Sequence, residues 1–144
     1  MERISINEAI SSGEWFQYEE AEVTMKLKLL SIREVQLEEI GDIDMVDKSI
    51  PLRNGRLLLL SMELINLSKE EQFSPNLELI DQEGYKFHDL TDNYLTTSSD
   101  LADRYSLYVK LLPKFKYKVD FLFVVPVEDT QYFIGARFGT IKRI

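Results

Sequence analysis

Apolar and polar residues alternate with a period of two through most of the chain, and the helical period of 3.6 is nearly absent. The clearest stretch is 114–126, where every odd position is apolar and four of the even positions are Lys or Asp. This stretch predicts a strand that ends at Pro126, because proline has no N–H to donate to a neighbouring strand. Its predicted core face consists of Phe115, Tyr117, Val119, Phe121, Phe123 and Val125.

The same alternation predicts two further long strands. One begins near Glu22, and its apolar positions change phase after Leu29. Because a slip of one residue exchanges the two faces of a strand, we expect a β-bulge between Leu29 and Ser31. The run 57–66 is typical of a central strand, and its predicted inward residues are Leu58, Leu60, Met62 and Leu64.

Shorter patterns complete the predicted fold. Residues 74–88 indicate a hairpin in which Gly84 takes the left-handed conformation, and further strands are expected at 105–112, 131–138 and 3–9. Two segments without alternation, 36–55 and 89–103, predict long loops. Seven or eight strands with no crossover helix favour an all-β fold, an antiparallel β-sandwich formed by one domain over residues 1–144.

Composition and charge narrow the functional classes. The chain has 25 acidic and 17 basic side chains and a net charge of −8, which argues against nucleic acid as a partner. It has no cysteine and one histidine, His88, which excludes thiol nucleophiles, disulfides and Cys/His zinc sites. We therefore predict a protein that is not an enzyme.

Apolar runs in the sequence bear on location. They reach only about nine residues, so no membrane span is predicted. The first residues do not form an export signal. We expect a cytoplasmic protein if Met1 is the native start, and otherwise a cell-surface or secreted protein whose leader has been removed.

Five short motifs occur in a characteristic order: Leu64-Ile65-Asn66, Phe73-Ser74-Pro75, the run from Leu79 to Tyr85, Leu112-Pro113, and the run from Phe121 to Pro126. Over residues 22–138 this order resembles the immunoglobulin-like domain of unknown function of Gram-positive lipoproteins and secreted proteins. The fold of that family is similar to that of the secreted mycobacterial immunoprotective antigens. The family usually has Gly after the Leu-Pro motif, where this chain has Lys114. The resemblance implies an immunoglobulin-like sandwich that works as a binding module, and it implies no catalytic residue.

Carboxylates are concentrated in the first predicted loop. Six of them fall within fourteen residues: Glu34, Glu38, Glu39, Asp42, Asp44 and Asp47. Calcium prefers several oxygen ligands, so Asp42, Asp44 and Asp47 are candidate calcium ligands, although the spacing does not match the helix-loop-helix calcium motif. The alternative to a calcium site is a solvated acidic loop that keeps a sheet edge from pairing with other chains.

The second predicted loop and two of the tyrosines are candidate contact residues. Asp92, Tyr94 and Asp100 stand in a hydroxyl-rich segment of the kind used in recognition loops, which also suits plain turns. Tyr108 and Tyr132 are expected to face outward and to form an apolar stripe with Leu57 and Leu59.

Three functions stay open from the sequence. We favour a non-enzymatic module that binds another protein, or a second copy of itself, through a sheet face or the long loops. The first alternative is a module that binds calcium or a glycan. The second is an acidic cytoplasmic inhibitor of a basic partner protein.

Overall fold

A computed structural model describes residues 3–36, 55–89 and 110–144 of the chain. These residues form one short helix and eleven strands. In chain order the elements are β1 (Ile4–Ser5), α1 (Ile6–Ser12), β2 (Phe16–Glu20), β3 (Val23–Val35), β4 (Gly55–Asn66), β5 (Gln72–Phe73), β6 (Leu77–Ile80), β7 (Lys86–His88), β8 (Lys110–Leu111), β9 (Lys116–Pro126), β10 (Phe133–Ala136) and β11 (Thr140–Arg143).

Two antiparallel sheets enclose the core. The larger sheet has the order β11-β2-β3-β4-β9, the smaller has the order β1-β10-β6-β7, and β5 and β8 form a separate two-stranded ribbon. Buried side chains from both sheets and from α1 form a single apolar cluster. The predicted antiparallel β-sandwich is confirmed. The structure has more strands than the seven or eight expected, because β2, β5 and β11 were not predicted. These three strands have two to five residues each, too few to show a clear alternation.

Strands β3, β4 and β9 form the centre of the larger sheet with the predicted register. Pairing between β3 and β4 shifts between Leu29 and Ser31, which confirms the predicted bulge. The four inward residues predicted for β4 are buried in the core. One predicted core residue of β9 is wrong: Phe115 precedes the strand and is 62% exposed.

The N-terminal segment corrects a second prediction. Residues 3–9 were expected to be a strand, but only Ile4 and Ser5 are extended, and α1 follows directly. Ser5 caps this helix, since its Oγ accepts a hydrogen bond from the Glu8 amide at 3.5 Å. Ser5 and Glu8 have the spacing of a capping box, a local signal that outweighs the alternation of Ile4 and Ile6.

The hairpin of β6 and β7 follows the sequence prediction. Gly84 has a φ of +94°, the left-handed conformation that glycine adopts without steric cost. Asp81, which is buried, holds the turn: its Oδ1 accepts hydrogen bonds from the amides of Glu83 and Tyr85, both at 2.9 Å.

Lys114 has a φ of +71° in the turn before β9. Its amide donates to the Asn66 carbonyl oxygen at 2.8 Å, so the turn is fixed in this conformation. A side chain with a Cβ is strained there, and we expect Lys114→Gly to raise the free energy of unfolding by about 0.5–1 kcal/mol. Urea denaturation measures the change. Lys114→Ala is the control, because it removes the same charge but keeps the Cβ, and an equal gain in this variant would contradict backbone strain as the cause.

Candidate functional site

Most of the predicted site residues lie outside the described residues. Asp42, Asp44 and Asp47 belong to segment 37–54, and Asp92, Tyr94, Asp100 and Tyr108 belong to segment 90–109. The calcium site and the recognition loop therefore stay predictions. In the part of the chain that the structure describes, no group of three or more His, Asp or Glu side chains is arranged to hold a metal ion.

Tyr132 does not face outward as predicted. It is 7% exposed and belongs to the core, where its ring meets Phe87 edge-to-face with the centroids 6.5 Å apart. Leu57 and Leu59 are also buried, at 5% and 7% exposure. The predicted stripe is therefore wrong for these three residues. Tyr132 lies on the same side of its strand as buried Ile134, which directs its ring between the sheets.

His88 lies at the margin of the smaller sheet, at the end of its edge strand β7. Its Nε2 is 3.4 Å from Oε2 of buried Glu78, directly opposite on β6. Lys86 reaches the other oxygen of the same carboxylate at 3.7 Å. Lys86 and His88 compensate the buried Glu78 carboxylate across the hairpin, so this cluster has a structural role in joining β6 and β7.

Buried Asn66 organises one end of the sandwich. Its side-chain amide donates to the carbonyl oxygens of Glu70 and Leu111, both at 2.9 Å, and its Oδ1 accepts from the Ser68 amide at 2.9 Å. Its backbone also forms a bridge with Pro113. The side chain and backbone of this one residue thus connect the end of β4, the β5–β8 ribbon and the turn before β9.

Exposed apolar side chains surround this joint. Four of them define a surface that we call the apolar end: Leu67 (43% exposed), Phe73 (55%), Leu112 (46%) and Phe115 (62%). Phe73 pairs with Lys110 across the ribbon, and Leu112 continues the same exposed side two residues later. The Leu112 amide donates to the Tyr117 hydroxyl at 3.1 Å, which fixes this segment against β9.

Three lysines border the apolar end, and two of them are paired with glutamates. The Nζ of Lys110 lies 5.7 Å from the centroid of the Phe73 ring and 3.7 Å from Oε1 of Glu71. Lys114 stands between Leu112 and Phe115, and Lys116 follows, 3.2 Å from Oε2 of Glu63. The margin of the apolar end therefore carries charges of both signs.

The opposite end of the sandwich contains a cavity of about 250 Å³ between the two sheets. The strand rise along β4 places it roughly 33 Å from Asn66. Its lining residues come from α1, β3, β4 and the segment before β10: Ile6, Asn7, Ile32, Arg33, Glu34, Arg56, Leu58, Thr130 and Tyr132.

Two hydrogen-bond donors are buried beside this cavity. The Tyr132 hydroxyl and Nε of Arg56 are both inaccessible to solvent. The Arg56 side chain is a hydrogen-bonding neighbour of the Tyr132 hydroxyl. Arg56 does donate from Nη2 to the Glu128 carbonyl oxygen at 3.2 Å, which anchors the guanidinium. Burial raises the pKa of the Tyr132 hydroxyl, and the neighbouring Arg56 guanidinium partly opposes this rise.

Sequence reasoning missed Arg56, although a signal was present. Arg56 continues the inward series of Leu58, Leu60, Met62 and Leu64 by one step of two residues. An arginine in phase with a buried face is unusual, because a charge placed between sheets must find partners there. The predicted loop ends at Gly55 and the predicted strand begins at Leu57, so Arg56 belongs to neither of them.

The fold is similar to that of solved bacterial proteins. MPT63, a secreted protein from Mycobacterium tuberculosis, matches with a TM-score of 0.53 and 9% sequence identity over 85% of each chain. A conserved hypothetical protein from Bacillus anthracis matches with a TM-score of 0.50 and 13% identity over 88% of this chain and 92% of the other. At such identities the likeness establishes the fold, an MPT63-like β-sandwich.

The sequence itself matches no family model and no curated protein. The solved structures confirm the fold implied by the resemblance to the mycobacterial secreted antigens. Membership of the immunoglobulin-like family stays a prediction. Within residues 3–36, 55–89 and 110–144, no helix has the length and apolar character needed to cross a membrane.

Proposed function

We propose that this protein is a non-enzymatic binding module that engages another protein through the apolar end. The observation that supports this function is the exposure of four large apolar side chains around one structural joint, Leu67, Phe73, Leu112 and Phe115. Concentrated exposed apolar surface marks interaction sites in soluble proteins. Burying a fully exposed side chain of this kind contributes about 1.5–3 kcal/mol, and these four are already about half buried, so about half of that range applies to each.

The apolar end is also held in place before binding. Asn66 fixes the backbone on both sides of it, and the Tyr117 hydroxyl fixes Leu112. A surface that is already ordered loses little conformational entropy when a partner covers it.

The test compares two variants that remove exposed aromatic side chains from opposite ends of the sandwich. Phe73→Ser/Phe115→Ser changes the apolar end, whereas Tyr85→Ser changes an aromatic residue that is 64% exposed and lines a different surface with Pro126 and Glu128. Affinity purification from the native cells identifies retained proteins, and sedimentation velocity measures self-association. We expect a retained protein, or a dimer, that the double variant loses and Tyr85→Ser keeps.

Two results would overturn the proposal. In one, the wild type is monomeric and the double variant retains every protein that the wild type retains. In the other, Tyr85→Ser abolishes the same interaction as the double variant, which would indicate a general loss of structure. Circular dichroism melting of all three proteins separates this second case from a specific effect, because all three altered side chains are exposed and should leave the melting temperature nearly unchanged.

A further inference from the structure

Phe138 is a fifth large apolar side chain exposed at the same end of the sandwich as the apolar end. It is 62% exposed and lies in the connection between β10 and β11, two residues before Thr140. Thr140 pairs with Glu19 near the end of β2, and β3 begins directly after this end. Asn66, the last residue of β4, pairs with Met25 near the start of β3. The β10–β11 connection and the apolar end therefore share one end of the larger sheet.

The β10–β11 connection is held in place by contacts on both sides. The Arg137 amide donates to the Asn76 carbonyl oxygen at 3.0 Å, and Cζ of Arg137 lies 4.9 Å from the centroid of the Phe138 ring. A Cβ at Gly139 would collide with the Glu19 carbonyl oxygen, so the connection packs directly against β2. Phe138 is thus exposed on an ordered segment, as the side chains of the apolar end are.

We propose that the apolar end and Phe138 together form the contact surface of a homodimer, in which a second copy of this chain covers the same surface. This inference rests on the proposed function and names its partner. In a two-fold symmetric dimer each copy contributes the same patch, so one surface has to complement itself. The area and the charges of this surface both meet that condition.

The area of the surface matches what a stable dimer needs. Phe73, Phe115 and Phe138 are 55%, 62% and 62% exposed, and an aromatic side chain buries about 150–250 Å² when it is fully covered. The three rings therefore offer roughly 350 Å² of apolar surface, and the exposed parts of Leu67 and Leu112 add to it. A standard interface covers about 800 Å² of each partner, a little more than half of it apolar.

The five side chains are also close enough to be covered together. Three strand spacings of about 4.8 Å separate β11 from β4, and β9 adjoins β4 on its other side. Phe138 therefore lies roughly 14 Å from Leu67 along the end of the sheet. An interface of about 800 Å² per partner is roughly 30 Å across, so one copy of the chain can cover all five side chains.

Charges at this end favour a second copy over a partner with one strong sign of charge. The connections that form the end, residues 20–22, 67–73, 110–116 and 137–139, contain five basic and four acidic side chains. The basic ones are Lys69, Lys110, Lys114, Lys116 and Arg137, and the acidic ones are Glu20, Glu22, Glu70 and Glu71. A strongly acidic or basic partner would meet like charges here, whereas a surface with both signs can complement itself after a two-fold rotation.

The net charge of the chain predicts how the dimer responds to salt. At −8, two copies repel each other over most of their surface, whereas the connections at this end are close to neutral. Salt screens the repulsion and leaves the apolar contact intact. Raising NaCl from about 0.05 to about 0.5 M should therefore leave the dimer as tight or make it tighter.

Sedimentation equilibrium of the full chain over about 5–500 µM protein measures the dimer. We expect Phe138→Ser to raise the dissociation constant at least ten-fold, because each dimer loses this side chain twice. Val127→Ser is the matched control: Val127 is 69% exposed and follows the opposite end of β9, so this variant should dimerise as the wild type does. Circular dichroism melting shows that both variants are folded, since both side chains are exposed.

Failure of the dimer can be distinguished from failure of the proposed function. A wild type that stays monomeric at about 500 µM overturns the dimer. If the apolar end then still retains another protein, the proposed function stands without it. A dimer that Phe138→Ser leaves unchanged, or that Val127→Ser weakens equally, overturns the contact surface described here. A dimer that weakens more than ten-fold on raising the salt would overturn the charge argument and with it the second copy as partner.

Discussion

Phe121→Ala should lower the free energy of unfolding by about 3–5 kcal/mol. Phe121 is fully buried and pairs with Leu60 at the centre of the larger sheet. Removing its ring leaves a void between two sheets that are held apart by many other side chains, so the structure can relax only partially. Urea denaturation followed by circular dichroism measures the change, and a value below about 1.5 kcal/mol would contradict the described core.

Phe115→Ala is the matched control for this experiment. Phe115 belongs to the same alternating run and would occupy the same face if the strand began at Lys114, yet it is 62% exposed. We expect a change of less than about 0.5 kcal/mol, as for other exposed positions. Similar losses for the two alanine variants would show that β9 begins earlier than described.

Asn66→Ala should lower the free energy of unfolding by about 3–5 kcal/mol. The substitution removes two donors and one acceptor at once, and it leaves the carbonyl oxygens of Glu70 and Leu111 and the Ser68 amide without this partner. Each group that stays buried and unpaired costs about 1–3 kcal/mol. Chemical denaturation measures the loss, and hydrogen exchange should show it first in the segment around Leu111.

Asn66→Asp is the isosteric comparison. It keeps the acceptor for Ser68 but directs a carboxylate at two carbonyl oxygens, so burial and repulsion should raise the pKa of the new carboxyl group above the unfolded value of about 3.9. The folded state then binds a proton that the unfolded state releases, and stability should fall as the pH rises through the interval between the two pKa values. If Asn66→Asp is as stable as the wild type at pH 7, the two donated hydrogen bonds do not carry the stability assigned to them.

The Asn66 joint also explains why two of the sequence motifs occur together. Leu64-Ile65-Asn66 and Leu112-Pro113 are distant in the chain, but Asn66 and Pro113 form a backbone bridge, and the Asn66 side chain reaches Leu111. Asp81 plays a comparable role in its own motif, where its carboxylate organises the turn to Tyr85. The motifs therefore mark structural joints of the sandwich, and two of their residues, Phe73 and Leu112, are also exposed at the apolar end.

The sequence by itself determined the strands that are long enough to show a period. Alternation located the core faces of β4 and β9, and the change of phase in β3 located its bulge, because each inward residue must meet the opposite sheet. It did not assign β2, β5 or β11, whose two to five residues show too little alternation, and it included β8 in a longer strand expected at 105–112. It also assigned 3–9 to a strand, since Ile4 and Ile6 satisfy a strand and a helix entry equally well until the Ser5 cap is considered.

The tertiary structure alone decided where the candidate sites lie. Exposure at the apolar end depends on how the β5–β8 ribbon and the turn at Lys114 meet Asn66, a contact between residues more than forty positions apart. The buried donors depend in the same way on two layers, since Arg56 comes from one sheet and Tyr132 precedes a strand of the other. Local periodicity determines on which side of a strand a residue lies. The packing of the sheets determines whether that side is buried or exposed, and which other residues it contacts.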